Sequence, residues 1–197
     1  MALRLLPNSV VRNEIKYPLQ MNRILALLAV LFALTAPACT NLLVGKKASK
    51  NGACFITYSA DSYGMYGRML HYPAGKHAPG TMRKIVDGDT HKPLGEIPEA
   101  PYTYNVVGNI NEYQVAITET TFGGREELWP KNPVGGIDYV SLMALGLQRA
   151  KTAREAIHVM TDLVARYGYA SEGESFSVAD PNEAWILEMI GKGDSAK

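Results

Sequence analysis

Residues 138–190 read DYVSLMALGLQRAKTAREAIHVMTDLVARYGYASEGESFSVADPNEAWILEMI, and this stretch decides the fold class. From Asp138 to Ala150 the apolar residues Val140, Leu142, Met143, Leu145 and Leu147 recur with helical spacing. Thr152-Ala-Arg-Glu155 then has the form of a capping box, in which the Thr hydroxyl and the Glu carboxylate satisfy free amides at a helix start. Behind it Ala153, Ala156, Ile157, Met160, Leu163, Val164 and Tyr167 fall on one face. Gly168 supplies a left-handed stop. Ser175–Ala179 (SFSVA) and Ala184–Ile190 (AWILEMI) read as strands around Asp180-Pro-Asn-Glu183, a turn with proline at its second position. The stretch is two helices followed by a hairpin.

Upstream, two more hairpins are expected. Thr40–Val44 (TNLLV) reads as a strand, Asn51-Gly52 as a hairpin turn and Cys54–Tyr58 (CFITY) as the return strand. Tyr104–Ile110 (YNVVGNI) and Tyr113–Thr121 (YQVAITETT) form a second pair across Asn111-Glu112, followed by the loop Phe122-Gly-Gly-Arg125. Residues 63–103 are rich in Gly, Pro, His and Tyr; apart from short pieces such as Arg83–Val86 they read as irregular. Hairpins imply antiparallel sheet, and helices segregated from them imply an α+β layered fold. The chain has no internal repeat and no low-complexity segment.

The N-terminal region has a different character. Met21-Asn-Arg23 is a short cationic start, Ile24–Ala36 an uncharged apolar run, and Ala36-Pro37-Ala38 a small-x-small cleavage pattern before Cys39. This is the layout of a secretory signal peptide. The run is shorter than the roughly 20 residues of a membrane-spanning helix, and it lacks the polar periodicity of a core helix. Residues 1–20 read as an upstream extension, with Met21 as the initiator. The 197 residues carry a net charge of +1. Without residues 1–38, which hold four basic and one acidic side chain, the remainder is at −2. That balance gives no basic excess for nucleic acid or an anionic membrane. The expected setting is export to the periplasm or outside the cell.

Cleavage after Ala38 gives Cys39 both a thiol and a free α-amine. With an unperturbed pKa of roughly 7.7–8.0, the amine takes the thiol proton near neutrality. One residue then supplies nucleophile and general base. The four histidines, at 71, 77, 91 and 158, show no metal or triad spacing, and no metal or organic cofactor is expected. If the first hairpin turns at or one position before Asn51-Gly52, Cys39 lies opposite Ser62 to Gly64, and Asp61 sits within one to three positions of it. Asp61 is therefore the candidate to hold the amine. The same register sets Cys54 about seven strand positions away, over roughly 20 Å, too far for a disulfide; Cys54 reads as a small buried residue. A lipoprotein anchor at Cys39 is the competing reading. Its signal normally has an aliphatic residue such as Leu three positions before the cysteine, where this chain has Ala36, followed by Pro37.

Cys39-Thr-Asn-Leu-Leu-Val-Gly-Lys-Lys-Ala-Ser49 resembles the mature start of the dipeptidase A family of cysteine peptidases, N-terminal nucleophile hydrolases related to penicillin V acylase and bile salt hydrolase. The resemblance continues through Tyr104–Asn109, Glu119–Arg125, Gly173–Glu183 and Glu188–Gly193. It implies a four-layer αββα sandwich, of which residues 39–197 are the N-terminal part. It implies hydrolysis of dipeptides or related small amides through Cys39, a tetrahedral intermediate and an acyl-enzyme, with an N-acyl amidase as the alternative. It matches Asp61 to the aspartate that positions the amine, and Thr121, less strongly Asn109, to the oxyanion or substrate contacts. The chain departs from the family at Tyr58, where relatives often carry an arginine, and the family's later asparagine and arginine would lie beyond Lys197. The expected partners are a small peptide substrate and, during maturation, a signal peptidase; oligomeric state is not legible.

Overall fold

The computed structural model describes residues 39–61 and 69–193. The expected signal peptide and upstream extension lie outside them. The strands are β1 (Leu43–Val44), β2 (Phe55–Ile56), β3 (His71–Tyr72), β4 (Gly75–Lys76), β5 (Met82–Val86), β6 (Pro93–Pro98), β7 (Tyr102–Thr103), β8 (Val106–Val107), β9 (Ile110–Asn111) and β10 (Ala116–Gly123). Helices α1 (Tyr139–Arg149) and α2 (Ala153–Tyr167) follow, and β11 (Gly173–Ala179) and β12 (Ala184–Met189) close the order. The main sheet is antiparallel in the order β12-β11-β10-β9-β8-β3, so the α+β expectation holds.

Both helices lie where the sequence places them. The Asp138 side chain accepts from the amides of Val140 and Ser141 at the start of α1. Thr152 accepts from Glu155 N at 3.2 Å, while the Glu155 carboxylate reaches back one residue further than a capping box requires, to Lys151 N at 2.8 Å. Gly168 ends α2 at φ 82° with its N–H on Val164 O. The buried faces are Leu142, Met143, Leu145 and Leu147 of α1 and Ala153, Ala156, Met160 and Leu163 of α2. They cover the sheet parity that carries Val115, Ile117, Phe176 and Val178, all fully buried. Gly146 allows the close approach: a Cβ there would stand 3.1 Å from both Ile117 Cδ1 and Met160 Cγ.

Three expectations need correction. The first hairpin pairs Leu43 with Ile56 and Val44 with Phe55, and Thr40 bridges Ser59. Two consecutive turns at 45–48 and 49–52, closed by Ala48 N to Gly45 O and Gly52 N to Ser49 O, replace a tight turn at Asn51-Gly52. The pairing centre therefore moves toward the N-terminus, and continuing the register sets Ala60, rather than Ser62 to Gly64, opposite Cys39. Second, the strand expected over 104–110 is broken, because Gly108, at φ 57°, turns the chain between β8 and β9. Asn111 then makes the next turn: its Oδ1 accepts from Tyr113 N and Val115 N, and its Nδ2 donates to Leu147 O and Ala150 O at the end of α1. One hairpin has become a three-strand meander.

Third, the region expected to be irregular contains the β5–β6 hairpin, which buries Ile85, Leu94 and Ile97. Its apolar alternation is diluted by Pro93, Gly95 and Pro98, so period-2 patterning does not show it. The hairpin is tied to α1 by Ser141 Oγ to Val86 O at 3.2 Å and by Arg149 to Glu99 at 2.8 Å.

The 180–183 turn is also a helix anchor. Asp180, 5% exposed, accepts from Asn182 N and Glu183 N through Oδ1 and from Ala153 N through Oδ2. Asp180→Ala leaves three amides to find other partners and should lower stability by about 2–3 kcal/mol, read as a drop in the urea midpoint at an unchanged slope.

Candidate active site

The strand alternation of β10 carries Val115, Ile117, Glu119 and Thr121 on one parity. In β11 the matching parity carries Glu174, Phe176 and Val178, with Thr121 paired to Glu174 and Glu119 to Phe176. Two carboxyl groups thus continue an apolar row. Both are almost wholly buried, Glu119 at 3% and Glu174 at 1% exposure. The Thr121 hydroxyl joins them, 2.9 Å from Glu174 Oε1 and 3.4 Å from Glu119 Oε2.

Beyond Ala116, β9 no longer pairs with β10, and the N-terminal segment reaches this stretch. Asn41 Nδ2 donates to Glu119 O at 2.9 Å and lies 3.3 Å from Ser177 Oγ. Two residues earlier, the half-buried Cys39 brings its thiol to 4.0 Å from Glu119 Oε1, the outer range of a sulfur hydrogen bond. The Tyr58 hydroxyl donates to the same oxygen in a short hydrogen bond. Glu119 therefore collects Cys39 and Tyr58 on one oxygen and the Thr121 hydroxyl on the other.

Electrostatics follow from this burial. Desolvation, then the hydrogen bond and charge of Glu119, push the Glu174 carboxyl up to about 9, with Thr121 opposing. At neutral pH Glu174 carries a proton. Its Oε2 is buried without a donor, and protonation there turns an orphaned acceptor into a donor toward Glu119. Burial first, and then Glu119, likewise hold the Tyr58 phenol above its ordinary range. Tyr139 and Tyr169 are raised too, burial again leading.

Two clefts flank the cluster. One, of about 490 Å³, is lined by Tyr58, Leu70, Tyr72, Asn109, Tyr139 and Met143 among others. The second, of about 310 Å³, is lined by Asp87, Asp89, Thr121, Tyr139, Glu172 and Glu174 among others. Tyr139 stands in both linings and donates to Asp89 Oδ1 at 3.1 Å. At Asp87, burial works to raise the carboxyl, but the Thr90 amide and hydroxyl and the Asp89 amide outweigh it and hold it below the usual range.

The residues expected from sequence are distributed as follows. Cys39 and Thr121 belong to the cluster. Asn109 donates to Ile117 O at 2.9 Å and lines the larger cleft. Asp61 is exposed, and its Oδ1 accepts from Ser59 Oγ at 3.2 Å; among the described residues no hydrogen bond joins it to Cys39. Cys54 is a free, half-buried thiol, opposite Gly45 by continuation of the β1–β2 register and so six strand positions, roughly 20 Å, from Cys39. Glu119, Glu174, Asn41 and the contact made by Tyr58 were not expected. The available signal was parity: Glu119 and Glu174 stand in step with buried valine, isoleucine and phenylalanine. Among the described residues no group of three or more His, Cys, Asp or Glu is placed to hold a metal ion.

Glu174 ionises near 4.5 in an unfolded chain and at about 9 in the fold. The folded state therefore binds more protons between these values, and its stability falls as pH rises across that window. Glu174→Gln, which mimics the protonated form, should flatten this slope. Urea midpoints at pH 5, 7 and 9 for parent and variant check it.

The comparisons with known proteins agree on one family. The model described as Peptidase family C69 matches residues 67–195, more than half of the chain and downstream of Cys39. A "Probable dipeptidase" of Latilactobacillus sakei is 31% identical over 170 residues, covering 78% of this chain and 35% of the relative. The "Dipeptidase" of Bifidobacterium longum is 28% identical over 184 residues (78% and 33%). A "Probable dipeptidase A" of Streptococcus pyogenes is 28% identical over 178 residues (78% and 36%). The chain spans about a third of the length of these curated relatives. With the family model covering most of the sheet and both helices, this chain belongs to peptidase family C69.

Proposed function

We propose that the chain is the N-terminal part of an exported cysteine dipeptidase whose nucleophile is Cys39, freed as the first residue by removal of residues 1–38. The observation that carries this reading is the Cys39 thiol set against the buried Glu119, whose partners Tyr58 and Thr121 each line a cleft. Family membership supports the peptidase class, and the fold then corresponds to part of a four-layer αββα sandwich of the N-terminal nucleophile hydrolases.

Cys39 supplies both the nucleophile and the base. Its α-amine takes the thiol proton as Sγ attacks the carbonyl carbon of the scissile amide. The tetrahedral oxyanion collapses, the C–N bond breaks, and the departing amine takes the proton back from the α-ammonium, leaving a thioester. Water then attacks the thioester, giving a proton to the α-amine, and the acid leaves as the thiol is restored. Asp61, one position beyond the residue opposite Cys39, is proposed to orient the amine. Thr121 or Asn109 is proposed to meet the oxyanion; because the Thr121 hydroxyl is bound by the carboxyls, its contribution would come from the backbone.

The smaller cleft favours a dipeptide over an N-acyl amide. Its lining sets the carboxyls of Asp87, Asp89 and Glu172 beside Trp129, Pro130 and Pro133, and the acidic groups attract the free ammonium of a dipeptide. A lipid-anchored, non-catalytic product remains a separate outcome, marked by a diacylglyceryl adduct in the intact mass of the secreted form.

The test is hydrolysis by protein beginning at Cys39. Dipeptides with a free amino end should be cleaved and their N-acetylated counterparts cleaved far more slowly. Cys39→Ala should abolish turnover, and Cys54→Ala should leave it near the parent rate. Activity lost in Cys54→Ala but kept in Cys39→Ala would overturn the assignment.

A further inference from the structure

We propose that Glu119 is a positioning residue for the Cys39 thiol, holding the sulfur through the oxygen that also receives the Tyr58 hydroxyl. The inference rests on the reading of Cys39 as nucleophile. Glu119 is the only group with which the Cys39 side chain shares a hydrogen bond among the described residues, at 4.0 Å from Sγ to Oε1. The carboxyl itself is held from several directions: Tyr58 on Oε1, Thr121 on Oε2, and Asn41 on the backbone carbonyl. Tyr58 lines the larger cleft, while Thr121 and Glu174 line the smaller one. Glu119 thus connects a residue of each cleft to the nucleophile, and its side chain has little freedom to swing.

The groups that face this carboxyl come from every neighbouring element. Cys39 and Tyr58 come from the N-terminal hairpin, Thr121 from β10 and Glu174 from β11. Tyr139 at the start of α1 and Tyr169 before β11 feel its charge. The groups that meet the two carboxyls are hydroxyls and a thiol. The proton on Glu174 lets the two carboxyls lie side by side. A negative carboxylate beside sulfur disfavours the thiolate. The contact directs the Cys39 S–H at Glu119 Oε1.

The decisive readout is the thiol itself, followed by iodoacetamide alkylation against pH in a Cys54→Ala background so that Cys39 alone reacts. Glu119→Gln keeps the shape and removes the charge. The alkylation midpoint should fall by about one pH unit, equal to about a tenfold faster reaction below the midpoint. The same variant should lower kcat with little change in KM, since the substrate clefts keep their walls. Tyr58→Phe removes the competing donor from Oε1 and should move the midpoint the other way, upward. It also serves where Glu119→Gln fails to fold by circular dichroism. Unshifted midpoints in the folded variants would overturn the proposal. This measurement does not depend on turnover, so a failure of the Cys39 assignment, seen as hydrolysis surviving Cys39→Ala, is read separately.

Discussion

Two carboxyl groups occupy places where the alternation of β10 and β11 calls for apolar side chains, and the region around Cys39 is organised by the need to satisfy them. A buried carboxylate without partners is costly, and two side by side are worse. The fold meets the cost by keeping a proton on Glu174, placing the Thr121 hydroxyl between the pair and bringing the Tyr58 hydroxyl to Glu119. Only after those demands are met is there a fixed polar point against which the Cys39 thiol can rest. The helices contribute indirectly: by covering Ile117, Phe176 and Val178 they exclude water from the row that ends in these acids.

Much of the fold was legible because the relevant signals are local. The apolar spacing after Asp138 marks one helix, Thr152 marks the start of the other through a side-chain oxygen that reaches the amide three residues on, and Gly168 marks its stop through its own backbone freedom. The 180–183 turn is equally self-contained. Features that escaped the sequence depend on partners far away. Asn111 looks like one half of a hairpin turn, yet its amide group also closes the end of α1. The β5–β6 hairpin is interrupted by proline and glycine, and its buried residues gain their meaning only from the helix they touch.

For the site the division is sharper. Cys39 could be picked out because a cleavage pattern precedes it, and Thr121 because it lies in a recognisable stretch. Glu119 stands only two residues before Thr121, but a lone glutamate in a strand reads as a solvent-facing side chain unless its parity is compared with Val115 and Ile117. Glu174 has the same difficulty on β11. The β1–β2 register was misjudged for a related reason: Asn51-Gly52 is a strong turn signal, but a ten-residue connection from Gly45 to Cys54 offers more than one place to turn. The displacement left Asp61 close to Cys39 along the ladder while its side chain engages Ser59.

The Thr121–Glu174 contact spans 53 positions of sequence. Both helices lie inside that interval, and closing so long a loop is entropically unfavourable until the intervening segments have collapsed. The carboxyl pair is therefore a non-local feature that exists only when β10 and β11 are paired. A chain that stops before β11 holds Cys39 and Glu119 but lacks the strand that supplies Glu174, so the buried pair cannot form in it.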